Sequence, residues 1–290
     1  MDTKTILHMS PRTIHRLRKV QALIDQLDPD TASQALVVPG SPQPQGDIIV
    51  FPGSFNPPTT AHLALLKQAR QFVRQKRLSV GKGKRAIQLY AAMSKRTTDK
   101  ENVERPLMLD RIMLLKLLLR RHLPHAGIML FNRGLYVEQA EAVRTAFPGV
   151  RRLFFLVGFD KVVQILDPRY YEDRDAALHD LFALAELFVA PRGDAGPGAL
   201  SELLQKPENQ QFAGYIHALP FSSAYRDISS TQLRQNLQAH THKAPQEVRR
   251  FMRETRAYDP PLQLPDGSEI DYYGERVKAL KKLVSVKAGK

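Results

Sequence analysis

Cysteine and tryptophan are both absent from the 290 residues. Without cysteine there is no disulfide, no thiolate nucleophile and no cysteine-based zinc or iron–sulfur centre, so any chemistry rests on other groups. Long apolar runs are missing too. No stretch approaches the roughly 20 consecutive apolar residues that span a bilayer, and no membrane partner is expected. The leading MDTKTILHMSPRTIHRLRK lacks the apolar core and small-residue cleavage site of a secretory signal, and a cytoplasmic location is expected. Acidic residues are in short supply, 29 Asp and Glu against 43 Lys and Arg, for a formal net charge of +14. Such an excess concentrates polyanions around the chain. Nucleic acid, anionic lipid and small phosphorylated molecules all satisfy it, and charge alone does not choose among them. With 43% hydrophobic residues the chain can bury a sizeable core, as one large domain or two small ones.

Residues 12–27 place Ile14, Leu17, Val20, Leu23, Ile24 and Leu27 at helical steps behind a Ser10-Pro11 start signal, which predicts an amphipathic helix. SPQPQG at 41–46 reads as a linker. The expected organisation is a helical N-terminal extension with its linker over 1–46, a main domain over 47–258 and a basic tail over 259–290. Across the main domain, β-rich runs at 48–53, 87–93, 127–132, 152–158, 184–190 and 214–220 alternate with helical segments, among them 60–77, 105–122 and 136–146. Apolar strands alternating with helices predict the α/β class, a Rossmann-like doubly wound parallel sheet with helices on both faces. The tail adds a last basic helix around ERVKALKKLVSVK, read as a packed or solvated appendage. No internal repeat is present.

Two stretches carry candidate chemistry. GSFNPPTTAH, 53–62, joins a strand to a helix. Gly53 permits close backbone approach, Ser54 adds a hydroxyl, Pro57-Pro58 stiffens the turn, and Thr59 or Thr60 can cap a helix whose first turn holds His62. An imidazole there has the positive end of the helix dipole behind it and can donate a hydrogen bond to a phosphoryl oxygen. Far along the chain, ISSTQLR at 228–234 sets Ser229, Ser230 and Thr231 at a predicted helix start, with Arg234 on the same face as Thr231. Alone, the first is a tight turn with a histidine under it and the second an ordinary serine cap.

Together they resemble the G-S-F-N/D-P-x-T/H-x-x-H and I-S-S/T-T-x-x-R motifs of the nucleotidylyltransferases typified by nicotinamide or nicotinate mononucleotide adenylyltransferase. FLVGFDKVVQILDP (155–168) resembles that family's strand ending in G-x-D, with Gly158 and Asp160 at the matching positions, and 103–118 is similar to the helix after its second strand, here with Arg111, Met113 and Leu114. The resemblance covers about 48–238. It implies an enzyme joining ATP to nicotinamide or nicotinate mononucleotide, giving NAD or deamido-NAD and pyrophosphate by in-line attack on the α-phosphate, with Mg²⁺ bound along with ATP. It implies catalytic roles for His62, Arg234 and Lys100, and ATP or substrate binding by Gly53, Ser54, Phe55, Thr59, Gly158, Asp160, Ser229, Ser230 and Thr231, with no metal ligand in the chain. The alternatives are a different phosphorylated acceptor or a non-catalytic nucleotide- or RNA-binding relative. Nucleic acid is left open as a partner without being favoured, and so is homo-oligomerisation.

Two departures stand out. Many relatives have histidine where this chain has Thr59. Relatives often stack the pyridine ring on tryptophan, whereas the nearest aromatics after the G-x-D strand here are Tyr170 and Tyr171. SVGKGKR at 79–85 lacks the spacing of a phosphate loop and reads as a basic connection into the second strand. With Arg70, Arg74, Lys76 and Arg77 it makes a basic patch, read as a solvated helix end with a nucleic-acid surface as the alternative. His122 with His125, and His240 with His242, lack zinc spacing.

Overall fold

The structure, a computed structural model, describes residues 9–75, 87–96 and 105–285. Lys100 and the SVGKGKR stretch lie outside them. In chain order come α1 (Pro11–Gln26), β1 (Ala35–Val37), β2 (Gly46–Pro52), α2 (Thr60–Gln75), β3 (Gln88–Ser94), α3 (Met108–His122), β4 (Gly127–Phe131), α4 (Tyr136–Ala146) and β5 (Val150–Gly158). They are followed by α5 (Phe159–Leu166), α6 (Arg174–Leu184), β6 (Glu186–Ala190), α7 (Pro197–Gln205), β7 (Ile216–Ala218), α8 (Ser230–Gln235), α9 (Gln246–Thr255), a hairpin of β8 (Leu262–Gln263) and β9 (Glu269–Ile270), and α10 (Tyr272–Ser285).

Seven strands form one sheet in the order β1-β4-β3-β2-β5-β6-β7. All neighbours are parallel except β1, which runs antiparallel on β4 with Leu36 opposite Leu130. The chain winds outward from β2 in one direction through β3 and β4 and from β5 in the other through β6 and β7. The switch point of the doubly wound sheet therefore lies between β2 and β5, and ligands of such sheets sit beyond the strand ends there. Alternation in the central strand explains the two layers. Ile49 and Phe51 face one apolar cluster with α1, α2, α3, α9 and α10, while Ile48 and Val50 face the other with α4, α5, α6 and α7.

Differences from the sequence expectation have local causes. β1 is only three residues long, too short to show a period, and lies within the segment read as a helical extension. The stretch 41–46 is no free tether: the Ile128 N–H donates to Ser41 Oγ at 2.9 Å, Tyr90 Oη to the Pro42 carbonyl at 3.0 Å and Gln88 Nε2 to the Gln43 carbonyl at 3.1 Å. The run 214–220 contracts to Ile216–Ala218 because a 3₁₀ turn over Gln210–Tyr215 precedes it and Pro220 follows. The run 184–190 begins at Glu186 because Leu184 still belongs to α6.

The basic tail helix packs rather than floats. Arg276 on α10 donates through Nη2 and Nε to the two oxygens of Asp110 on α3, at 2.6 and 3.1 Å, and Tyr273 Oη donates to the same carboxylate at 2.8 Å. The Leu107 N–H donates to Tyr273 Oη at 2.7 Å, and Arg105 pairs with Asp271. Asp110 and Arg276 are both buried. Removing one member of a buried, hydrogen-bonded pair strands the other charge. Arg276→Ala is expected to destabilise the fold by about 3 kcal/mol or more, read as a lowered midpoint in urea unfolding.

Candidate active site

The loop after β2 is held by groups from three distant parts of the chain. Arg111 on α3 donates through Nη1 to the Ser54 carbonyl at 2.8 Å. Arg234 donates through Nη1 to the Asn56 carbonyl at 2.6 Å, and Ser230 Oγ donates to the Pro57 carbonyl at 2.7 Å. Tyr258 Oη donates to Asn56 Oδ1 at 2.8 Å. The two motifs, more than 170 residues apart, thus meet by direct hydrogen bonds at the switch point.

Within the loop, Phe55 takes a left-handed backbone conformation at φ 45°, which L side chains rarely adopt. Its fully buried ring compensates, lying edge-on to Phe51 at 5.6 Å between centroids and 5.1 Å from the His62 ring. A Cβ on Gly53 would come within 3.3 Å of that ring, so the glycine makes room for Phe55. Phe55 is accordingly a wall behind the site. Ser54 is exposed at its mouth.

Thr59 is completely buried, and its hydroxyl accepts from the His62 N–H at 3.3 Å, capping α2. Its own N–H donates to His62 Nδ1 at 2.9 Å, and its hydroxyl lies 2.8 Å from the same nitrogen. Nδ1 is therefore an acceptor, which places the ring proton on Nε2. Burial, with a smaller contribution from the Arg192 guanidinium, lowers the His62 pKa to about 4. The imidazole is a neutral donor at ordinary pH, and Thr59 points it.

The remaining predicted residues divide. Ser229 forms a capping box with Gln232: its hydroxyl accepts from the Gln232 N–H, and Gln232 Oε1 accepts from the Ser229 N–H, both at 3.3 Å. Thr231 Oγ1 accepts from Arg234 Nη2 at 3.1 Å, which orients the guanidinium. Gly158 ends β5 and Asp160 opens α5; a Cβ at Gly158 would meet Asp160 Oδ1 at 2.7 Å, so here the glycine first accommodates that carboxylate. Asp160 pairs with Arg192 Nη1 at 2.9 Å. Arg192 was not singled out from the sequence. It was reachable there, since it lies two residues beyond the 184–190 run, where a parallel strand ends toward the ligand. Tyr258 left no such signal.

A cavity of about 240 Å³ opens beside the loop. Gly53, Ser54, Met93, Arg111 and Gln139 line it, together with Tyr136, Tyr170 and Tyr171. Arg111 Nε and Gln139 Oε1 are buried, and among the described residues neither has a hydrogen-bond partner. A smaller recess of about 120 Å³, lined by Phe159, Val189, Pro191 and Leu219, lies beyond β6 and β7. Among the described residues no group of three or more His, Asp or Glu could hold a metal ion, and no helix is long and apolar enough to cross a membrane.

The state of His62 has a measurable consequence. An unfolded histidine takes a proton near pH 6.5 that the folded ring refuses until about 4. The contribution of His62 to stability is therefore complete above 6.5 and is lost as pH falls toward 4. Resolved by NMR, its ring is expected to titrate near pH 4 in the folded protein, and Thr59→Val, which removes the cap, to cost about 1 kcal/mol in urea unfolding.

Residues 50–118 match the family described as cytidylyltransferase-like. A protein of Schizosaccharomyces pombe provisionally named a nicotinamide mononucleotide adenylyltransferase is 29% identical over 152 residues, covering 50% of this chain and 53% of that protein. The chain thus spans about half the length of this relative. Proteins of Bordetella pertussis and Bordetella parapertussis, provisionally named nicotinate-nucleotide adenylyltransferases, are each 30% identical over 192 residues, covering 64% of this chain and 83% of theirs. The convergence of both motifs at the switch point agrees with this kinship: the chain belongs to the cytidylyltransferase-like nucleotidyltransferases, in the family of the nicotinamide- and nicotinate-nucleotide adenylyltransferases.

Proposed function

We propose that this enzyme joins ATP to nicotinamide or nicotinate mononucleotide, forming NAD or deamido-NAD and releasing pyrophosphate. The observation that carries the reading is the meeting of the two motifs: Arg234 and Ser230 bond the backbone of the loop that leads into His62. One phosphate-binding surface is thereby built from two helix starts at the sheet's switch point.

In this reading the 5′-phosphate oxygen of the mononucleotide attacks the α-phosphorus of ATP. The new P–O bond forms as the bond to the β-phosphate bridging oxygen breaks, and the pair of electrons leaves with pyrophosphate. No proton need be taken from a phosphate nucleophile already ionised at neutral pH, so a general base is not required. His62 Nε2–H donates to an α-phosphoryl oxygen as charge builds there, and its low pKa keeps it a neutral donor of fixed geometry. Arg234, oriented by Thr231 and Asn56, faces the departing pyrophosphate. Asp160 accepts from the adenosine ribose hydroxyls once Arg192 turns toward phosphate. Thr59 acts through His62 as a positioning residue rather than as a ligand. The tyrosine-lined cavity receives the acceptor's ring and sugar, with stacking on Tyr136, Tyr170 or Tyr171 in place of tryptophan. Mg²⁺ supplies charge neutralisation on the triphosphate; the described residues contain no ligand cluster for it, and no step is assigned to a protein-bound ion.

With ATP and Mg²⁺, the pure protein is expected to release pyrophosphate in the presence of nicotinamide or nicotinate mononucleotide, and turnover with neither, across a panel containing other phosphorylated acceptors, would move the assignment to another substrate or to a binding role. His62→Ala is expected to lower kcat by about 10²-fold or more with little change in KM, the signature of an interaction made in the transition state. Tyr171→Ala is expected to raise the acceptor KM while leaving that for ATP unchanged.

A further inference from the structure

The +14 charge is not spread evenly. The five helices on one side of the sheet, α1, α2, α3, α9 and α10, carry 18 Lys and Arg against 5 Asp and Glu. The four on the other side, α4, α5, α6 and α7, carry 3 against 6. Among exposed residues the contrast sharpens to 12 cations and 2 acids on the first side, and no cation and 5 acids on the second. The groups that hold the phosphate-binding loop do not account for this excess, since Arg111 is buried and Arg234 lies on α8.

The cations form a surface rather than scattered points. α1 packs on α3 and on α10, and α3 packs on α9. Arg12 and Arg16 lie one turn apart on α1, and Arg120 and Arg121 close α3. Lys116 of α3 donates to the Pro39 carbonyl, and its pKa is lowered by burial and by the nearby Arg16 and Arg120, as expected where cations crowd; Arg121 beside them pairs with Glu247 of α9. Lys281 and Lys282 extend the exposed charge along α10.

The chemistry of the surface selects its occupant. The apolar faces of these helices are spent on the core, and Leu117 and Tyr272 are the exposed large hydrophobics on them among the described residues. A face that inserts into a bilayer interface needs a broad apolar stripe, which is absent from the described residues here. What remains is an arginine-rich layer suited to phosphates in a row. α3, 15 residues long and so about 22 Å, matches roughly six base steps of a duplex. We infer that this helical layer is a second, non-catalytic binding surface for the phosphodiester backbone of nucleic acid, on the opposite side of the sheet from the acidic layer. Its contacts are sequence-independent, because the cations reach backbone and not base edges.

Fluorescence anisotropy with labelled 20-base-pair DNA and RNA duplexes across a salt series tests this on the full chain. Binding is expected, with log affinity falling linearly against log salt. Arg12→Gln/Arg16→Gln/Arg120→Gln is expected to weaken binding at least tenfold at low salt and flatten the slope by about 2 to 3, since each phosphate contact contributes about 0.9. Arg16→Gln alone flattens it by about 1 and covers the case in which the triple variant does not fold. Unchanged circular dichroism and pyrophosphate release separate loss of the surface from loss of the fold. Preference for one duplex type identifies the natural ligand within the class. Three results overturn the inference: no duplex binding; equal weakening by Arg151→Gln/Arg169→Gln/Lys206→Gln, which removes as many cations elsewhere; or binding confined to phosphatidylserine vesicles.

Discussion

The structure depends on the carbonyl groups of one six-residue loop. Between Gly53 and Pro58 the backbone passes through a left-handed Phe55 and leaves three carbonyls to be satisfied away from the sheet. Arg111, Ser230 and Arg234 each supply a donor. Each is polar, and each comes from a segment that the fold must first bring to the switch point. The loop therefore reports on the whole fold: it holds its shape only when α3 and α8 are docked.

The dependence extends beyond the loop. Arg111 follows Asp110, and Asp110 is the carboxylate that anchors the C-terminal helix through Arg276 and Tyr273. Neighbouring residues on α3 thus face two ways, one toward the loop after β2 and one toward the tail. This chain of contacts makes the tail a support for the site rather than an appendage. Burial lowers the Arg111 pKa, while its Nη1 donates to the Ser54 carbonyl and its Nε has no partner among the described residues.

Much of this was legible in the sequence, unevenly. The alternation of apolar runs with helical segments gave the sheet, because strands buried on both faces leave continuous runs of Ile, Val, Leu and Phe. The two motifs were readable because glycine, paired prolines and clustered hydroxyls restrict the backbone locally. What the two motifs touch was not readable. Hydrogen bonds such as Tyr258 to Asn56 and Arg276 to Asp110 join residues more than 160 positions apart, and no local period encodes them. β1 escaped for a simpler reason, being three residues with a partner that lies far along the chain. Thr59 shows the middle case. Its place in the motif drew attention to it, but only its burial and its bonds to His62 reveal that it positions the imidazole.

The central claim is that His62 and Arg234, brought together through one loop, act on one polyphosphate. A double-mutant cycle of His62→Ala and Arg234→Ala, read on kcat/KM for ATP with the acceptor saturating, tests it directly. If both stabilise the same transition state, the double variant loses much less than the product of the two single losses, with a coupling of about 1 kcal/mol or more. Strictly multiplicative losses would contradict the account, because they would mean that the two residues do not act as one coupled unit.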